Sequence, residues 1–246
     1  MLTALFWGFV GGAALLIGAA LGVFVKASPK VIAGVMALGA GVLISAVAFG
    51  LTAEAFADGG TSSVVAGLAL GSLTFFAGDV VLQRRGAAQR KHSGGGHGGG
   101  SGGSGSALAL GALLDGIPES AAIGLSLLGR GSVSLSVVAA VFLSNVPEGW
   151  SSAAGMNRDG RSRAYIFGVW GTVTAASAGS ALLGYVLLDG APQVIVGGVK
   201  AFAAGAIITM LADTMMPEAY EEGGPTVGLL TALGFTLAFL LDRLGG

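Results

Sequence analysis

Two short stretches concentrate the residues able to do chemistry. In the first, Asp115 and Glu119 stand four apart, which puts both carboxyls on one face of a helix. Pro118 lies between them. A proline inside a helix removes one backbone hydrogen bond and frees a carbonyl about one turn earlier. The freed carbonyl is that of Leu114, at the level of Asp115. The second stretch repeats the device: Ser144 and Glu148 share a face, Asn145 adjoins it, and Pro147 frees the carbonyl of Leu143. Both prolines thus gather oxygen donors where carboxylates already point.

Cation binding is the chemistry such a set suits best. Neutral, hydrogen-bonded carboxylic acids are the competing reading, and proton and metal could alternate at one site. Asp213 lies beside Thr209, Met210 and Met216; it is read as a further ligand, a gate or a satisfied structural acid. Glu54 and Glu218 could attract cations at two mouths, with solvated helix ends as the alternative. His92 and His97 are separated by glycines and read as linker composition rather than a metal site.

The elements that must hold these residues are membrane helices. The chain has 246 residues, 53% hydrophobic and only 10% charged, whereas soluble domains are about 25% charged. A bilayer core takes about 20 apolar residues per helix. Eight stretches qualify: Leu2–Val25, Val31–Phe56, Ser62–Leu82, Ala107–Leu128, Ser132–Met156, Ala164–Leu188, Val194–Ala219 and Thr226–Leu241. The first reads as a retained helix, because no positive residue precedes its apolar run. Each acid at mid-membrane costs about 2.5–3.5 kcal/mol on insertion scales, so Asp115, Glu119 and Glu148 must be hidden from lipid together. No Lys or Arg lies at mid-depth of their helices to neutralise them.

Composition also excludes. There is no cysteine, hence no disulfide and no thiolate metal site. The net charge of −1 leaves no nucleic-acid footprint. An intramembrane hydrolase would need an array such as His-Glu-x-x-His, and no histidine falls in any expected helix; the chain reads as no enzyme.

With eight spans, the basic residues of the loops fall unevenly. Lys26, Lys30, Arg84, Arg85, Arg90, Lys91, Arg158, Arg161 and Arg163 share one side, and Arg130 and Arg243 the other. The positive-inside rule makes the first side cytoplasmic and both termini extracytoplasmic, in a multi-pass protein of the cell (inner) membrane. A seven-helix count would scramble this bias. Residues 84–106 form a cytosolic loop whose Gly/Ser tract is a flexible linker. The whole of 1–246 is otherwise one transmembrane domain.

Two internal repeats appear. Gly39 to Gly60 lies over Ala203 to Gly224 without gaps, pairing Gly41 with Gly205, Glu54-Ala55 with Glu218-Ala219, and Gly59-Gly60 with Gly223-Gly224. Asp115 to Ser120 lies over Ser144 to Gly149. The loop charges make both pairs run in opposite directions. Inverted repeats are a transporter signature, with the site near the midplane.

In these motifs the chain resembles the ZIP family of divalent-metal transporters. The matching runs are Asp115-Gly116-Ile117-Pro118-Glu119-Ser120 and Ser144-Asn145-Val146-Pro147-Glu148-Gly149, with small-residue runs at Ala40 and Ala203 and Glu-Ala pairs at Glu54 and Glu218. The resemblance covers essentially the whole chain. It implies an all-α integral membrane protein, eight helices in a 3+2+3 arrangement, and inward transport of zinc, manganese or ferrous iron as substrate. Its metal residues would be Asp115, Glu119, Ser144, Asn145 and Glu148, with Asp213 as a candidate. The expected partners are the divalent ion, the lipid bilayer and, as an option, a second copy in a homodimer. There are departures. Asp115 stands where the family usually has His, and Gly116 where it has Asn. Ser177 replaces a helix-six Glu that many bacterial members carry. This argues against a two-metal site and leaves a runner-up: a transporter-like sensor, scaffold or carrier of another solute. The nearly all-oxygen ligand set implies a weakened preference for zinc over manganese.

Overall fold

The computed structural model describes residues 1–84, 105–128 and 133–245. The described residues are helical, without a strand. The helices are α1 (Leu2–Phe24), α2 (Pro29–Ser45), α3 (Thr52–Leu82), α4 (Gly105–Ser126) and α5 (Leu135–Arg158). They continue with α6 (Arg163–Leu188), α7 (Gln193–Met210), α8 (Met216–Gly223) and α9 (Thr226–Gly245). Two π-helical segments join neighbours without a break: Ala46–Leu51 between α2 and α3, and Leu211–Met215 between α7 and α8.

Among the described residues, four continuous runs are long and apolar enough to cross a membrane: Leu2–Phe24, Pro29–Leu82, Arg163–Leu188 and Gln193–Gly223. Thr226–Asp242 is apolar but shorter. The polar residues of α5, among them Ser144, Asn145, Glu148 and Ser151, lower its hydropathy below theirs. These long apolar helices fit a membrane location.

The expected count of eight separate helices is corrected to seven continuous helical runs among the described residues. The difference lies between Phe56 and Ser62, where no loop separates the two expected helices. Gly60, with φ 68 and ψ −178, makes the whole turn inside the run. That backbone region is essentially closed to residues with a Cβ. The chain reverses there. Ahead of it Glu54 bonds Lys200 and Gly59 lies against Gly197, so the leg descends α7. Beyond it Ser63 Oγ donates to Val194 O at 2.8 Å, Gly67 meets Gly198 and Phe202, and Ser72 Oγ donates to Gly205 O at 3.1 Å. The second leg therefore climbs α7.

The first sequence repeat has a structural counterpart. Gly224, the partner of Gly60, also has positive φ (64, with ψ −153) and separates α8 from α9. The two π-helical segments fall in the same register. Close backbone approaches are exchanged as well: Gly41 lies against the Thr231 carbonyl as Gly205 lies against that of Leu68, and Gly234 meets Leu38 as Gly71 meets Phe202. So α2 packs on α9 as α7 packs on α3. Glycine at these positions removes the Cβ that would strike backbone oxygen, which lets the helices touch.

Between these pairs lie α4 and α5. Glu119 meets Ser144, while Ile123 and Val141 both converge on Gly11 of α1. Increasing numbers on α4 match decreasing numbers on α5, so the two are antiparallel. Helix α1 seals them: Gly18 lies against the Val146 carbonyl, and Gly149 lies against that of Leu15. His92, His97 and most of the 84–106 loop lie outside the described residues. Asp79, near the end of α3, is buried and accepts a hydrogen bond from Gln83 Nε2 at 2.5 Å.

Candidate functional site

The α4 and α5 motifs are buried as a unit. Asp115 and Glu119 are 0% exposed, Ser144 and Asn145 1%, and Glu148 7%. The apolar runs around each motif drive its helix into the bundle, and α1 and α6 close over the polar face.

Glu119 and Ser144 are brought together across the helix pair. The Ser144 hydroxyl lies 3.3 Å from Glu119 Oε1 and 3.0 Å from Val141 O, and its one proton is shared between them. Asn145 turns away: its Nδ2 donates to Gly11 O of α1 at 3.1 Å. That bond leaves Asn145 Oδ1 buried without a hydrogen-bond partner among the described residues, as is the hydroxyl of Ser120 beside Glu119. Unsatisfied buried oxygens are costly in an apolar interior, and both stand where a cation or a water would satisfy them.

Glu148 faces a different space. It lines a cleft with Met36 of α2, Met210 of α7, Thr214 and Met215 of the π-helical segment, and Glu218 of α8. Glu218 is 7% exposed, and Ser151, one turn beyond Glu148 on α5, donates to its Oε1 at 2.5 Å. It is not a solvated helix end. Neither is Glu54, which accepts from buried Lys200.

Among the described residues, no group of three or more Asp, Glu, His or Cys side chains is gathered closely enough to hold a metal ion by itself. Asp213 does not join the buried group: it is exposed, on the outward side of a segment whose Thr214 and Met215 take the cleft side. The Leu143 carbonyl freed by Pro147 faces Gly39 of α2, 2.9 Å from where a Cβ there would lie. It is spent on helix packing.

Sequence reasoning missed Met36 and Met215 of the cleft, and named Met210 only as a neighbour of Asp213. Their signal was weak, because methionine at helical spacing is indistinguishable from ordinary core. It also missed Lys200. Lys200 is 2% exposed and lies 3.1 Å from Glu54 Oε2 and 2.8 Å from Asp58 Oδ2.

Gly116 and Ser177 are neighbours across α4 and α6: a Cβ at Gly116 would lie 3.5 Å from Ser177 Oγ.

No protein-family model matches the chain, and no curated protein matches it.

Proposed function

We propose that this chain is a divalent-metal transporter of the ZIP kind, which moves ions into the cytoplasm by alternating access along the α4–α5 carboxylates. The observation that carries the proposal is the burial of Asp115, Glu119 and Glu148 on two antiparallel helices that each contain a proline, with Glu148 lining a cleft that holds a second carboxylate, Glu218. Acids are placed in apolar helices at a cost and mark ion pathways.

Eight legs would cross the inner membrane, the reversals at Gly60 and Gly224 lying at opposite faces. The matched contacts of α2–α9 and α7–α3 support an inverted repeat, and the loop charges place both termini outside. The facing losses at Gly116 and Ser177 favour one ion at a time. The methionines revise the expectation of an all-oxygen path. Thioether sulfur is soft and suits zinc or ferrous iron better than manganese, so the cleft offsets the loss of imidazole at Asp115.

The runner-up, a sensor or a carrier of another solute, is favoured by the same lost ligands. Uptake of zinc, ferrous iron and manganese by proteoliposomes separates the two. The expected result is uptake of at least one ion that falls to background in Glu119→Gln and in Glu148→Gln, with both variants still inserted. Equal flux in wild type and both variants sinks the proposal.

A further inference from the structure

The exchanged repeat lets each mouth be compared position by position. Shifting by the register that pairs Gly41 with Gly205 places Met36 on Lys200, Glu54 on Glu218, Asp58 on Glu222 and Leu51 on Met215. At the Gly224 end, the Met36 and Glu218 positions line a cleft reaching Glu148. At the Gly60 end, the same two positions are Lys200 and Glu54, joined at 3.1 Å, with Asp58 on the same ammonium at 2.8 Å. Both side chains of the shorter bridge are largely covered, 3% exposed for Lys200 and 23% for Asp58. Leu51, three residues before Glu54, is 2% exposed.

We infer that Lys200 is a tethered counter-ion that closes the Gly60-end mouth by occupying Glu54 and Asp58. The inference rests on the transporter reading for its purpose, but the closure itself does not depend on which solute moves. A protonated ammonium satisfies carboxylates that would otherwise repel one another or attract a mobile cation. It also ties α3 to α7 across the leg that must part for access. Its repeat partner, Met36, carries no charge, so no ammonium stands at the matching place beside Glu218. An ion arriving at the Gly60 end would compete with the ammonium for the same oxygens, coupling arrival to opening.

A chain without cysteine permits single-cysteine labelling directly. Leu51→Cys and Met215→Cys report the two mouths to a membrane-impermeant maleimide applied from the Gly60 or the Gly224 side. In Lys200→Met, labelling of Leu51→Cys from the Gly60 side should rise roughly tenfold, within the usual range of coupling between two states. Labelling of Met215→Cys from the Gly224 side should fall, since one population grows at the other's expense. Lys200→Arg should label like wild type. Unchanged labelling at Leu51→Cys overturns the inference. So does a rise at both positions, which is loosening rather than gating. Should Lys200→Met not reach the membrane, Lys200→Met with Glu54→Gln and Asp58→Asn leaves no charge unpaired and is read the same way. A chain that moves no metal but shows the reciprocal shift keeps the gate and loses only the substrate.

Discussion

At the Gly60 end of the molecule, a lysine lies between two carboxylates of the neighbouring helix. At the Gly224 end, the equivalent place belongs to Met36, and Glu218 is bound instead by the hydroxyl of Ser151 beside a cleft. The backbones of the two ends are alike in their positive-φ glycine, their π-helical segment and their glycine-to-carbonyl contacts. The difference is therefore in side chains, and it teaches that one repeated backbone can carry an ion-paired lysine at one end and an uncharged methionine at the other.

The largest expected effect lies at the two pseudo-equivalent acids. Glu119→Gln and Glu148→Gln should each bring uptake to background at matched membrane levels. If only one of them matters, the two helices are not equivalent stations of one path, and the comparison holds for the backbone alone.

A smaller, paired effect concerns the glycines. Gly41→Val and Gly205→Val each drive a side chain into backbone carbonyl, and overpacking of this kind costs about 1–3 kcal/mol. Thermal unfolding in detergent should show both variants destabilised by similar amounts. Gly60→Ala and Gly224→Ala should likewise match, each costing about 1–3 kcal/mol for a backbone region nearly confined to glycine. A large loss in one member of a pair and none in the other would break the structural repeat.

How much of this was legible in the sequence follows from where the signals are local. The α4 and α5 motifs stood out because prolines and acids interrupt apolar runs; their burial followed from the insertion cost and their opposite directions from the loop charges, whereas the contact of Glu119 with Ser144 needed the structure. The long repeat was readable because its register has no gaps. The reversal at Gly60 falls inside the gap expected between Phe56 and Ser62; what the sequence did not show is that a single glycine makes it with no loop residues. Lys200 was unreadable as a partner of Glu54 and Asp58, because 146 and 142 residues separate them. Asp213 looked like Glu148 in kind, but one residue's rotation on a π-helical segment sends it to the outside.

The smallest expected effect is on selectivity. Asp115→His should move competitive uptake towards zinc over manganese, and Met210→Leu should move it a few-fold the other way, because one adds a borderline ligand and the other removes a soft one. An unchanged ratio in both variants removes these side chains from ion discrimination and leaves the cleft as a passive space.

The most direct test of the account perturbs both mouths with the cargo itself. Single cysteines at Leu51 and at Met215 would be labelled from their own sides, with and without saturating zinc. Zinc should shift the two labelling rates in opposite directions, as expected when one ligand biases two alternating states. Rates that move together, or neither moving while zinc is taken up, would contradict a molecule in which the two ends exchange roles.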